Sequence, residues 1–362
     1  MEELYVKRLI LVFSFCTFAW LGMSGCTDEK FTVCPDDPLP GENDYRLLYV
    51  YNSRDLVYTF STKTGELLDS TRYPGDYPFW DVSFSKDGRY AYYSGYSTWI
   101  AEFTTNDTIA IASEQIARWN SLSFDEKYLL VGGYGTSVRL LELPNLNVVY
   151  QREYWSGWDN GTIHPLQNIA YVPYTVDSFL VIDFRSSSIT ETAVYFTRAN
   201  GSPVGAGAIA VSKDGKILIL SGGTRVQLRD SETFELLHEY APGRGIPYLH
   251  PDGERVFFIE WRDDFGQRAE IWELNLKSSA MTRILTEDDV SVSYPFGNGL
   301  NPSGMDFTPD GKFAFIVNGG QGLEWGAILK MDCSTYKIVD VIAPPPSLSQ
   351  SVYINPREIR GE

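Results

Sequence analysis

One short pattern recurs along most of the chain and restricts its fold more than any other feature. It reads Val82-Ser83-Phe84-Ser85-Lys86-Asp87-Gly88, then Leu122-Ser123-Phe124-Asp125, Thr162-Ile163-His164-Pro165, Ile209-Ala210-Val211-Ser212-Lys213-Asp214-Gly215, Tyr248-Leu249-His250-Pro251-Asp252-Gly253 and Met305-Asp306-Phe307-Thr308-Pro309-Asp310-Gly311. Each is a short apolar strand ending in a turn, and Asp-Gly supplies the left-handed backbone that a tight hairpin needs. A second strand is expected after each turn, over 90–93, 128–131, 169–172, 217–220, 256–259 and 313–317. Third strands follow, for example over 179–183, 226–228 and 328–331, and fourth strands over 235–240 and 337–342.

With Phe84, Phe124, Ile163, Val211, Leu249 and Phe307 as anchors, the spacings are 40, 39, 48, 38 and 58 residues. Four short antiparallel strands at such a period describe one blade of a β-propeller. Residues 46–51, 56–60 and 66–72 supply a second, third and fourth strand with no first. The missing strand lies at the other terminus, where Ser351-Val352-Tyr353-Ile354-Asn355-Pro356 repeats the anchor pattern 47 residues after Phe307. The expected fold is therefore all-β, a seven-bladed β-propeller over 45–362, closed by the C-terminal strand pairing with the N-terminal blade. Closure of that kind removes two open sheet edges.

These residues resemble the YVTN-repeat family of seven-bladed propellers, over residues 45–356. The matching pieces are Pro-Asp-Gly or Lys-Asp-Gly after the first strand, a Tyr/Phe-Val second strand, and an Asp closing the third strand at Asp183, Asp230 and Asp332. WD repeats place Trp-Asp at the end of the third strand, whereas Trp80-Asp81 precedes a first strand here. The resemblance implies architecture and leaves activity open.

Residues 1–25 read as an address. Lys7 and Arg8 precede an apolar run from Leu9 to Leu21, too short for a membrane span of roughly 20 residues and of the length of a signal core. Leu21-Gly22-Met23-Ser24-Gly25-Cys26 resembles a bacterial lipobox, which implies lipidation of Cys26 and a lipoprotein of the cell envelope, in the outer membrane, facing the periplasm or exposed at the surface. Residues 26–44, acidic and rich in Pro and Gly, read as a tether with a reach of about 25 Å.

Composition sets limits on partners. Thirty Lys plus Arg against 47 Asp plus Glu give a net charge of -17, which repels phosphate backbones and argues against nucleic-acid binding. Three His and four Cys leave little for a metal centre, and neither a metal nor a cofactor is expected. His164 and His250 share a repeat position with Ser85, Ser212 and Thr308, so a polar turn residue accounts for both. Walker, dinucleotide-binding and nucleophile-elbow motifs are missing from the sequence, and no catalytic residue is assigned.

Along a blade the chain reverses at each turn, so loops joining second to third strands share one face with loops joining blades. That face is expected to hold Trp80, Trp119, Trp155, Trp158, Trp261 and Trp325, six of the eight tryptophans beyond Cys26. Aromatic loops suit sugar rings, peptides or a protein surface. With Asp159 and Arg262 they form the candidate ligand-binding set of a monomeric binding module for an envelope protein or glycan. Three alternatives remain open. Trp80 and Trp119 could wedge between blades, a lactonase-like hydrolase could have its site in the central funnel, and the propeller could be a purely structural scaffold for an envelope complex. Arg118, Arg198, Arg244 and Arg262 with Asp76, Asp81, Asp159 and Glu324 could line a polar pocket, with a solvated rim the preferred reading.

Overall fold

Second and third strands such as Phe313-Ala314-Phe315-Ile316-Val317 are apolar at every position, the mark of a sheet buried on both faces. The computed structural model gives the reason. Phe313, Phe315 and Val317 face one neighbouring blade while Ala314 and Ile316 face the other. The structure describes residues 43–359 except 52–55, 73–78, 104, 106, 113–115, 134–136, 154–159, 176, 197–206, 223–224, 242–244, 262–268, 287–288, 291–299, 301, 320–325 and 343–350. They belong to the compact unit Pro38–Glu362; a second unit, Met1–Asp37, lies outside the described residues, as do Cys26 and Cys34.

Seven four-stranded antiparallel sheets make the seven blades. From the inside outward, blade 1 is Ser351–Glu358, Tyr45–Tyr51, Leu56–Ser61 and Leu67–Arg72; blade 2 is Phe79–Phe84, Tyr90–Gly95, Thr98–Glu102 and Thr108–Ala112. Blade 3 is Trp119–Leu122, Tyr128–Gly132, Ser137–Glu142 and Asn147–Glu153; blade 4 is Thr162–Ile163, Ile169–Thr175, Ser178–Asp183 and Thr190–Tyr195. Blade 5 is Ala208–Val211, Ile217–Gly222, Arg225–Asp230 and Leu236–Tyr240; blade 6 is Pro247–Leu249, Arg255–Trp261, Ala269–Asn275 and Ala280–Leu285. Blade 7 is Pro302–Phe307, Phe313–Gly319, Gly326–Asp332 and Ile338–Ile342. The expected closure is present: the C-terminal strand pairs with Tyr45–Tyr51, with Leu47 opposite Ile354 and Tyr49 opposite Val352.

The apolar core is divided among the seams between blades. Leu48 and Val57 of blade 1 meet Val82 and Tyr93 of blade 2; Tyr92 and Ile100 of blade 2 meet Leu129 and Val131 of blade 3; the remaining seams repeat the arrangement around the ring. Each blade therefore buries its two faces only if both neighbours are present.

One position of the repeat locks the seams. It is held by Asn355, Ser85, Ser123, His164, Ser212, His250 and Thr308 in blades 1 to 7. The Ser and Thr side chains are short and bond their own turn: Ser85 Oγ donates to Asp87, Ser123 to Asp125, Ser212 to Asp214 and Thr308 to Asp310. The three longer side chains cross to the next blade. Asn355 Nδ2 donates to Gly88 O at 2.9 Å, His164 Nε2 to Gly215 O at 3.0 Å and His250 Nε2 to Gly311 O at 2.8 Å. Those three glycines sit at φ of 66, 78 and 69°, and a Cβ on them would fall 2.2 to 2.6 Å from the incoming side chain. Where Ser85 precedes blade 3 its own side chain does not cross; the neighbouring Lys86 does, its N–H donating to Glu126 Oε1 at 2.6 Å and its ammonium to Phe124 O, and Glu126 takes the left-handed place in the turn at φ 57°.

This exposes one misalignment in the sequence reading. The turn of blade 3 aligns Ser123 with Ser85, so its anchor is Leu122 and not Phe124, which lies in the turn itself. The Ser-x-Asp spacing shared by 85–87, 123–125 and 212–214 carries the correct register.

Candidate functional site

Inner strands of a propeller have one open edge, whose N–H groups face no further strand. Here the preceding blade's inner strand supplies acceptors for them. Asp81 Oδ2 accepts from Asn120 N at 2.7 Å, Ser121 Oγ from Ile163 N at 3.0 Å and Asp306 Oδ2 from Ile354 N at 2.6 Å. Between blades 4 and 5 the backbone does this itself, with Ile209 N donating to Asn160 O at 2.9 Å. Tyr353 Oη closes the blade 1 to blade 2 seam by donating to Trp80 O at 2.9 Å. Asn120, whose amide donates to Ser94 Oγ at 3.0 Å and accepts from Ser83, completes the lining on that side.

Asp81, Asp306, Tyr248 and Tyr353, from the inner strands of blades 2, 7, 6 and 1, are thereby gathered about the axis. Burial pushes the Asp81 carboxyl up to about 7 and that of Asp306 up to about 6, against the pull of the backbone N–H groups each accepts from. Each ionised carboxylate also raises its neighbours: Asp306 acts on Asp81, and both act on the Tyr248 phenol, already raised by burial. The channel is thus lined by carboxyls whose titration is raised toward neutrality. Of the two places open to Asp81 from sequence, a polar pocket and a solvated rim, the preferred rim is not the one it takes: its carboxyl lies inside. Asp306, Tyr248 and Tyr353 were not singled out from sequence, though their signal is available: each is one residue before an anchor on an inner strand, facing the adjoining blade.

At the loop end of the channel, one residue above Asp81, lies Trp80. The Arg118 guanidinium sits 5.2 Å from its ring centre, and the exposed ring of Tyr96 packs against it at 5.0 Å. Trp119 takes the wedging alternative. It is 2% exposed, and its indole fills the space over Gly132 and Gly161, where a Cβ would fall 2.4 and 2.7 Å from ring carbons. The backbone of Trp261 ends a second strand at the same end of the ring as Trp80. Trp155, Trp158, Asp159, Arg262 and Trp325 lie outside the described residues. Among the described residues no cluster of three or more His, Cys, Asp or Glu could hold a metal ion.

Fold and channel together define a seven-bladed β-propeller. No protein-family model and no curated protein matches the chain. Among solved structures it is similar to a functionally unknown protein from Desulfotomaculum acetoxidans DSM 771, at 14% identity and a TM-score of 0.66, covering 86% of this chain and 98% of that one. Kuenenia stuttgartiensis hydrazine synthase is similar at 20% identity and 0.56, over 73% and 79% of the two chains. The Cps50 (Swd1) β-propeller domain of Myceliophteria thermophila is similar at 14% and 0.61, over 75% and 88%. At these identities the likeness concerns the fold alone.

Proposed function

We propose that this protein is a lipoprotein of the bacterial envelope, attached through Cys26, that binds a glycan or peptide at the loop end of its channel. The observation that carries the reading is the stack of Arg118, Trp80 and Tyr96 at the channel mouth. Aromatic rings held rigid by neighbours give contact area with little entropy lost, and Arg, Trp and Tyr are the residue types that dominate binding energy. Below them the channel offers the Tyr248 and Tyr353 phenols and the Asn120 amide, groups that suit hydrogen bonding to an uncharged partner. The test is a glycan, peptide and envelope-extract screen with wild type, Tyr96→Ala, Trp80→Ala and Trp155→Ala/Trp158→Ala. Loss of about 2 kcal/mol or more at a mouth residue supports the reading. Identical profiles from folded variants would overturn it.

A second reading, a hydrolase acting inside the channel, is favoured by the raised carboxyls of Asp81 and Asp306, since catalytic acids are often tuned this way. It ranks below the first because both oxygens of each carboxyl already accept backbone N–H groups: Val82 and Asn120 for Asp81, Phe307 and Ile354 for Asp306. Turnover of lactone or ester substrates that disappears in Asp81→Asn would reverse that order.

A further inference from the structure

Lysine is distributed unevenly over the two ends of the ring. Lys86, Lys127, Lys213, Lys216 and Lys312 lie in turns joining first to second strands, and Lys63, Lys277 and Lys337 in turns joining third to fourth. In an antiparallel blade both sets of turns emerge at the same end. The ninth lysine beyond residue 44, Lys330, is 3% exposed, with its ammonium over the Phe313 ring and donating to Thr62 O at 2.8 Å. No lysine occurs in any segment that joins a second to a third strand or one blade to the next. The described cations at that opposite end are arginines, among them Arg118, stacked on Trp80, and Arg225, which pairs with Glu239 at 3.5 Å. Lysine is strongly hydrated and depleted from protein interfaces, whereas Arg, Trp and Tyr are enriched there.

The chain also enters and leaves at the turn end. Asp44 caps the turn between the third and fourth strands of blade 1, its Oδ1 accepting from Ser61 Oγ at 2.7 Å and Lys63 N at 3.2 Å. Its carbonyl accepts from Ile359 N at 2.7 Å, which brings the last described residue to the same place. The lysines there do not make a binding site for acidic headgroups, because carboxylates share the same turns: Asp125 beside Lys127, Asp214 beside Lys216 and Asp310 beside Lys312, at 3.7 to 3.9 Å.

We infer that the molecule is polar in use: its turn end faces the membrane that anchors it, and the mouth at Trp80, Tyr96 and Arg118 faces away, toward a partner met across the aqueous space rather than in that bilayer. The inference rests on attachment through Cys26, and it adds the direction of approach and excludes the anchoring lipid as ligand.

Full-length lipidated protein with Cys34→Ser, carrying a single fluorophore at Lys277→Cys or at Ser97→Cys, tests it in phosphatidylcholine vesicles with a nitroxide on the headgroup. A seven-residue strand is about 23 Å long, so the two labels differ in height by roughly that much. Quenching at 277 at least about twofold stronger than at 97 is expected, since collisional quenching fades well within such a distance. Labelled variants must melt as the parent does. Equal quenching, or stronger quenching at 97, overturns the orientation while leaving the anchor intact. A parent protein that stays in solution with the vesicles, as Cys26→Ala is expected to do, removes the anchor and the orientation with it.

Discussion

The crossing histidines predict that chemically identical substitutions will differ in severity by blade. Gly253 and Gly311 end the same turn in blades 6 and 7, at φ of 76 and 69°, so Ala at either must hold a left-handed backbone, at about 1–2 kcal/mol. At Gly253 the added Cβ meets the Lys213 side chain, at 3.0 Å from its Cβ and Cδ, a tight contact that needs a shift of a few tenths of an ångström and not the displacement of a buried ring. At Gly311 it would fall 2.6 Å from His250 Cε1 and 3.0 Å from Nε2, inside the ring that donates to the Gly311 carbonyl. His250 is 4% exposed and wedged against Phe257 and Phe307, so it cannot yield freely. Overpacking of this kind adds about 1–3 kcal/mol. Gly311→Ala should therefore lose about 2–5 kcal/mol in urea unfolding and Gly253→Ala about 1–2. His250→Ser, which installs the residue that Ser212 and Ser123 show to be compatible with a locally closed turn, should recover much of the Gly311→Ala loss. The double-mutant cycle should give a coupling of about 1–3 kcal/mol. Equal losses at the two glycines, or strictly additive effects with His250→Ser, would refute the argument that the turn glycine makes room for the neighbouring blade.

Removal of residues 350–362 should destabilise the protein by several kcal/mol, because it strips the inner strand from blade 1 and leaves Gly88 O and the Asp306 carboxyl without Asn355 and Ile354; an unchanged urea midpoint would contradict the closure. Burial keeps the Asp81 and Asp306 carboxyls protonated in the folded state at pH values where an unfolded chain has already ionised them. Between about pH 4 and 7 the folded form therefore binds more protons, and this contribution to stability falls as pH rises. His164, lowered by burial, acts in the opposite sense below its ordinary value, so the difference between wild type and Asp81→Asn/Asp306→Asn isolates the carboxyls: the wild type should lose more than the variant between pH 5 and 8. Burial pushes the Cys333 thiol up to about 12, so in a Cys34→Ser protein labelled with a thiol reagent at pH 8 the rate at Cys333 should not exceed the rate of unfolding; faster labelling of folded protein would show the seam to be open.

The blade count was legible because propeller strands repeat a local signal. Alternation, an Asp-Gly turn and a fixed strand order each depend on residues close in sequence, and even closure could be inferred by matching a surplus at one end to a deficit at the other. The register failed only in blade 3, where Asp-Gly is replaced by Asp125-Glu126. The left-handed place there is taken by Glu126, so the Asp-Gly signal that marks the turns of blades 2, 5, 6 and 7 is lost. Phe124 then looked like an anchor because it is the larger apolar residue.

The site was less legible. Trp80 and Trp119 look alike in sequence, yet Trp119 begins its inner strand opposite Gly132 and fills the gap over Gly132 and Gly161, a place that Phe79 takes opposite Gly95 in blade 2, while Trp80 falls at the register irregularity between Phe79 and Asp81 and lies half-buried at the channel mouth beside Arg118. Which outcome each takes depends on the register of the inner strand against its neighbour. Asp81 and Asp306 stand at different offsets in their repeats, 225 residues apart, and become neighbours only when the ring closes. Sequence alone determined the unit, its number and the order of its strands, since these follow from short-range periodicity and turn chemistry. Only the closed ring decided which carboxyls are driven from water, which histidines reach the next blade and which aromatic rings stay accessible, because each of those depends on a surface supplied by a strand far away along the chain.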